Sequence, residues 1–270
     1  MASFKGLNFS FDGHSSEEFN LKIVNIDKSG WNTESIGANY EPVLDENPLK
    51  IIKNSYGVHI SENLEFEMVV ASLERIDRDT VNRISSWLFA RRKPCKLYID
   101  QPDMQNKYFE CFLTSPKQVS RGNFAYAVSF TVSCTSPFMW SNDIISSISV
   151  TNGSGEITLY HNGADYDGYI NPVIEIESVG DVSKISIVNQ RDGNRETGFD
   201  FSGTGIIGFT SGEIIKVDTE NRIVSSSKSI NRLAPFNKKW LRIRSGSNKL
   251  LITGNGKYKF TYRVPYIAGV

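Results

Sequence analysis

The chain has 270 residues, 39% of them hydrophobic, and its 30 basic and 30 acidic side chains cancel to a formal net charge of zero. That length suits one large all-β domain or two of ordinary size, and it buries about three quarters of the unfolded surface. Balanced charge leaves no global field to draw the protein onto nucleic acid or anionic lipid, so a specific nucleic-acid partner is not expected.

In chain order, Phe4, Leu7, Phe9, Phe11 and Phe19 are interleaved with polar residues. This is strand patterning rather than a signal peptide, and no apolar run approaches the ~20 residues a bilayer requires. Folding in the cytoplasm without membrane insertion is the expectation. Leu64, Phe66, Met68 and Val70 then alternate with Glu65, Glu67 and Val69 in a half-buried strand. From Asp77 the period changes: Val81, Ile84 and Leu88 form a helical stripe with Trp87 beside it. Asp77 is placed to cap this helix, Ile76 and Val81 to staple it, and Asp79 to meet its dipole. Arg91, Arg92 and Lys93 are expected in the last turn, as a solvated cluster that complements the dipole, with Pro94 ending the helix.

"CKLYID" and "KYFECFLTS", joined by "QPDMQN", predict a hairpin. In "GNFAYAVSFTVSC", Phe124, Tyr126, Val128, Phe130 and Val132 share one face, while Ala125, Ala127, Ser129, Thr131 and Ser133 make a small second face that another layer can approach closely. "SPFMWSND" then ends a domain: Pro137 is expected to terminate strand pairing, and Phe138 and Trp140 to cover an open edge or the domain junction. Beyond it, "PVIEIES", "SKISIVN", "GFDFSG", "GEIIKVD", "NRIVSSS", "WLRIRSG", "NKLLITG" and "YKFTYRV" recur about every ten residues with turn signals between them, the pattern of a sandwich or jelly roll. The expected fold is mainly β. An N-terminal β domain with one α-helix spans residues 1–140, and a C-terminal β-sandwich, jelly-roll or galectin-like, spans 141–270.

The motifs that suggest chemistry are weak. Gly203, Gly205 and Gly208 spell GxGxxG, but "FTSGEIIKVD" follows as turn and strand, whereas a dinucleotide site needs a helix there. His14, His59 and His161 are too dispersed for a local zinc site. Asp165 with Asp167, and Asp218 with Glu220, fall in turns, and "DYDG" lacks the remaining ligands of a calcium loop. Cys95, Cys111 and Cys134 offer neither an even count nor a CxxC pair and read as buried reduced thiols. No catalytic residue, cofactor or metal is assigned, and an enzyme is not expected. Tyr160, Tyr166, Tyr169 and Trp240 are candidates for a carbohydrate surface, in competition with core and interface packing.

The run "SSWLFARRKPCKLYIDQPDMQNKYFECFL", followed by "SFTVSCTSPFMW", resembles the N-terminal domain of the distal tail proteins of phages with long non-contractile tails. The shared features are a Trp-Leu helix (Trp87, Leu88), a turn with Asp-Gln-Pro, a Tyr-containing strand (Tyr108) and a closing Ser-Pro-Phe (Pro137, Phe138). "YHNGADYDGYINPVIEIES" (Pro172), "GEIIKVDTENRIV" (Asp218) and "RIRSGSNKLLITG" (Gly246, Asn248) are similar to that family's later segments. The likeness covers most of residues 60–255. It departs between Gly30 and Gly57, which bears on the shape of any arm built there.

The resemblance implies a structural virion protein of the tail tip, assembled in the host cytoplasm. It implies a homohexameric ring between tail tube protein and tail-tip hub protein, whose C-terminal domain anchors receptor-binding or other baseplate proteins or reaches host cell-wall saccharide. In such a ring the channel is a competing location for Arg91 and Arg92. The alternative is a carbohydrate-binding module that contacts the host surface through the sandwich.

Overall fold

A computed structural model describes residues 7–24, 40–45, 52, 54–60, 63–121, 124–164 and 168–267. They form two compact units, one of residues up to Trp140 together with Pro265–Ile267, the other Ser141–Val264. Both are mainly β, and a single α-helix occurs among the described residues.

The first unit contains β1 (Phe9–Phe11), β2 (His14–Ser15), β3 (Leu21–Val24), β4 (Tyr40–Leu44), β5 (Ser55–Ile60), β6 (Glu65–Ile76), α1 (Arg78–Phe89), β7 (Cys95–Ile99), β8 (Lys107–Arg121), β9 (Phe124–Cys134) and β10 (Phe138–Ser141). Its main sheet runs β2-β1-β7-β8-β9-β6-β3. Met68 opposite Phe130 and Phe66 opposite Val132 carry the predicted alternation into a shared core. The face carrying Val128, Phe130 and Val132 is buried as expected, and so are Ala125 and Ala127. The pairing of β6 with β9 slips between Ala71 and Ile76, so four residues of β6 face a single position of β9. Leu73, in that bulge, is 96% exposed.

The helix starts as its sequence requires: the Asp77 carboxylate accepts from the Thr80 N–H at 2.7 Å. Ile84, Trp87 and Leu88 are buried. Its end differs from the expectation. The last helical residue is Phe89 and Ala90 is the cap, so Arg91, Arg92 and Lys93 lie beyond the last turn. Instead of serving the dipole, Arg91 pairs with Asp12 at 2.8 Å.

Nor does "SPFMWSND" only close a domain. Phe138, Met139 and Trp140 form a strand opposite Ile267, Tyr266 and Pro265, so the chain's last described residues return to the first unit, whereas the sequence placed 141–270 together. The physical reason is the edge of β10 that β8 does not pair, whose backbone needs a partner once Phe138 and Met139 are buried. The Trp140 indole N–H donates to Ser136 Oγ at 2.9 Å, and Pro137 precedes the strand, where a missing N–H costs nothing.

The second unit contains β11 (Ile144–Val150), β12 (Ser154–His161), β13 (Tyr169–Ile170), β14 (Val173–Ser178), β15 (Lys184–Asn189), β16 (Arg195–Asp200), β17 (Ile214–Asp218), β18 (Ile223–Ser226), β19 (Ile243–Arg244), β20 (Gly246–Thr253) and β21 (Gly256–Tyr262). Two antiparallel sheets, β11-β21-β14-β17-β18 and β12-β20-β15-β16, supply its core. Every second residue is interior: Ile174 and Ile176 on β14, Leu250 and Ile252 on β20, Tyr258 and Phe260 on β21. On the outer face of β14, Glu175 and Glu177 pair with the directly opposite Lys259 and Lys257 at 2.9 and 3.1 Å.

Candidate interaction sites

The residues matched to the family motifs are held by packing and hydrogen bonds. Trp87 lies between Phe9 and Phe19, with near-parallel rings 5.6 and 5.0 Å away. Leu88, Tyr108 and Phe138 are at most 1% exposed, and Lys96 Nζ sits 4.3 Å from the Tyr108 ring centre. Pro172 offers its carbonyl to the Thr219 hydroxyl at 2.6 Å. Asp218 closes the next turn by accepting from the backbone N–H and side-chain amide of Asn221, both at 2.9 Å. Gly246 stands at φ +90°, a left-handed backbone that favours glycine. The turn around it is held by buried Asn248, whose amide donates to the Arg244 and Gly246 carbonyls and accepts from the Arg244 N–H.

The four aromatics singled out from sequence have different surroundings. Tyr160, on β12, is 55% exposed. Tyr169 packs beneath two guanidinium groups, with the Arg242 and Arg244 carbons 4.7 and 5.5 Å from its ring centre. Trp240 ends a series of ring contacts that runs from Phe209 through Phe201, Phe199 and Phe236, the last 4.8 Å from it. Tyr166 lies outside the described residues, as do Asp165 and Asp167.

The structure sets Arg242 and Arg244 over Tyr169 and ties Arg195 to Trp240, contacts that composition did not single out. Arg242 donates through Nε and Nη2 to Asp192 at 2.9 and 3.0 Å, and Arg244 through Nε to the same carboxylate at 2.7 Å. Arg244 also donates through Nη1 to the Gly168 carbonyl. Arg195 donates to the Trp240 carbonyl at 2.8 Å, and the Arg191 guanidinium lies over Gly246. Burial alone pushes the Asp192 carboxyl up, but hydrogen bonds from Arg242 and Arg244 prevail and hold it below its ordinary value. The signal was present in "RIR": residues two apart along extended chain face the same way, and Arg242 and Arg244 flank the start of β19 and meet at Asp192.

A second polar cluster occupies the interior. Arg232 and Glu213, 1% and 0% exposed, form a two-pronged ion pair, and Arg232 also donates to the Ile207 and Gly208 carbonyls. The loop of Gly203, Gly205 and Gly208 therefore presents carbonyls to an arginine and leads to strand β17, as the sequence implied. Burial raises the Glu213 carboxyl, yet the bonds from Arg232 and Ser226 outweigh it and the net direction is down.

Cys95 faces Cys111, and Cys111 faces Cys134, so three free thiols sit in one row across β7, β8 and β9. Burial pushes the Cys134 thiol up to about 12, and Cys111 and Cys95 also upward. His14 pairs with Glu18 at 3.2 Å, and buried His161 accepts from the Gly163 N–H at 3.3 Å. Among the described residues, no three His, Cys, Asp or Glu side chains are arranged to hold a metal ion. No helix among them is long and apolar enough to cross a membrane.

The chain was then compared with known proteins. A family described as "Phage tail protein N-terminal domain" matches residues 4–136, and one described as "Phage tail C-terminal domain" matches 138–262. No curated protein matches the chain significantly. Among solved structures it is similar to the SPP1 Dit protein, described as a paradigm of the hub adsorption apparatus in Gram-positive infecting phages. The TM-score is 0.64 at 14% identity, over 96% of this chain and 99% of that one. That likeness gives the fold, and the two domain matches, which take in nearly every residue, give the family: the chain is a member of the phage tail proteins.

Proposed function

We propose that the protein is a distal tail component, a structural ring at the tail tip that joins tail tube to hub and carries receptor-binding or other baseplate proteins on its second domain. The observation that carries this reading is the end-to-end correspondence of both domains with a hub protein's fold, in a chain that belongs to the phage tail family. Exposed apolar residues support self-association. β4 and β5 pair with each other away from the main sheet, and a two-stranded ribbon is marginal unless something packs on it. Val43, Leu44 and Tyr56 on that ribbon are 45%, 41% and 69% exposed. A cyclic ring is heterologous, so each copy must offer two different complementary patches; the ribbon and the bulge around Leu73 are the proposed pair.

Light scattering on the purified chain, followed by negative-stain imaging, tests this. Six-fold rings, or smaller species that become rings on adding the tail-tip partner, are expected, and Tyr56→Asp or Leu73→Asp should weaken them. A strict monomer under every condition, with and without that partner, would remove the ring.

A further inference from the structure

We propose that Cys111 and Cys134 are the site of a disulfide that forms when the protein meets a low-molecular-weight disulfide oxidant, with Cys95 as the thiol that takes up the oxidising equivalent and relays it inward. The three thiols stand at directly opposed positions on the adjacent strands β7, β8 and β9, so they share one face of the sheet. That face is the core side: Cys111 and Cys134 are buried members of the core, and Cys95 packs at its rim. Burial pushes the Cys111 thiol upward, and the neighbouring Cys134 and Cys95 thiols push it further, so each thiol bears on the next.

The ladder bonds distinguish the two pairs. The Thr135 N–H donates to the Glu110 carbonyl at 2.8 Å, and the Cys134 N–H donates away from β8, to the Leu64 carbonyl at 2.9 Å. Cys111 and Cys134 therefore exchange no backbone hydrogen bonds with each other, which is the closer kind of antiparallel pair, with Cα atoms about 4.5 Å apart. The backbone groups of Cys111 then point toward β7, which makes Cys95 and Cys111 the wider, hydrogen-bonded kind at about 5.5 Å. A disulfide needs Cβ atoms about 3.5–4.5 Å apart, a separation that the closer kind of pair approaches and the wider does not.

The exchange needs no reactant besides the small disulfide. The Cys95 thiolate attacks one sulfur of the oxidant and expels a small thiolate, leaving a mixed disulfide at the rim of the core. Cys111 attacks the Cys95 sulfur and expels the second small thiolate; Cys134 then attacks the Cys111 sulfur and returns Cys95 as a thiol. In sum, two protein thiols and one small disulfide become one protein disulfide and two small thiols, and the two S–H protons pass to the expelled thiolates. Each transfer runs between neighbouring strands, so a row of three opposed thiols is the arrangement such a relay requires. The Cys95 thiol donates to the Lys93 carbonyl at 3.5 Å, and a turn about its Cα–Cβ bond carries the sulfur between that position and Cys111. Thiols stay reduced inside a cell and oxidise outside it, and a phage tail passes from one to the other. The relay uses only the sheet of the first unit, so it does not depend on ring assembly.

The test is incubation of the native full chain with hydroxyethyl disulfide, followed by alkylation in denaturant and peptide mass mapping. The expected product has lost two hydrogens and keeps no adduct, with Cys111 linked to Cys134 and Cys95 alkylated. Its formation should quicken about tenfold per pH unit near neutrality, because only the thiolate attacks. Cys95→Ser should slow formation about tenfold or more and leave the linked pair unchanged. Cys134→Ala should halt the relay one step earlier, with Cys95 linked to Cys111 or still carrying the adduct. Oxidised wild type should unfold at higher urea than the reduced protein, since a cross-link restricts the unfolded chain. Three alkylated cysteines after prolonged oxidation, an adduct retained on wild-type Cys95, or a final link between Cys95 and Cys111 would overturn the assigned pair. Formation at the wild-type rate in Cys95→Ser would overturn the relay.

Discussion

The indole N–H of Trp87 donates to the carbonyl oxygen of Phe11 at 2.8 Å, across 76 residues of sequence. This bond fastens the helix to β1, and the rings of Phe9 and Phe19 on either side of the indole leave the side chain little freedom. Trp87→Phe should retain the stacking but leave that carbonyl without its donor. A loss of about 1–3 kcal/mol is expected, read as a lower midpoint in urea at unchanged slope.

Removing one member of the interior ion pair should be costlier. Arg232→Met leaves the buried Glu213 carboxylate without its counter-charge, with the Ser226 hydroxyl as its remaining side-chain donor, and is expected to lose about 3–5 kcal/mol. The double change Arg232→Met with Glu213→Leu should recover part of it. A double variant as unstable as the single one would show that the bonds from Arg232 to the Ile207 and Gly208 carbonyls matter more than the charge.

Acid should destabilise the second unit in a defined direction. Asp192 and Glu213 are held below their ordinary values of 3.8 and 4.5, so their contribution is complete above the unfolded values. It is lost as pH falls through the lower folded values. Differential scanning fluorimetry should give a nearly level melting temperature down to about pH 5 and a fall below about pH 4. The Arg232→Met, Glu213→Leu variant should show a shallower fall.

Gly198, on β16, faces Ser186, and an added Cβ would stand 2.5 Å from the Ile185 carbonyl oxygen. Backbone cannot move aside as a side-chain tip can. Gly198→Ala is therefore expected to cost about 1–3 kcal/mol despite the higher strand propensity of alanine, measurable by chemical denaturation.

The thiol row has a simple readout. Burial keeps Cys111 and Cys134 protonated near neutral pH, and a thiol reacts through its thiolate. Native protein should react with Ellman's reagent at no more than one site, the half-buried Cys95, and at all three cysteines once unfolded. Rapid reaction of all three in the native state would contradict the buried sheet.

The sequence by itself determined what depends on local period and local chemistry. Period-two runs marked the strands, the stripe from Val81 to Leu88 marked the helix, and Asp77 marked its start, because those signals are written within a few residues of one another. It also placed the glycine triplet before a strand instead of a helix. Tertiary structure alone decided which distant residues meet. Pairing of Phe138–Trp140 with Pro265–Ile267, the alignment of three cysteines across three strands, the Arg232–Glu213 pair and the meeting of Arg242 and Arg244 at Asp192 all depend on strand order and register. A one-residue slip in register would reverse every face, and no short window of sequence specifies the partner strand. The end of α1 belongs to the same class, since Arg91 leaves the helix axis for an aspartate on the far side of the sequence, Asp12.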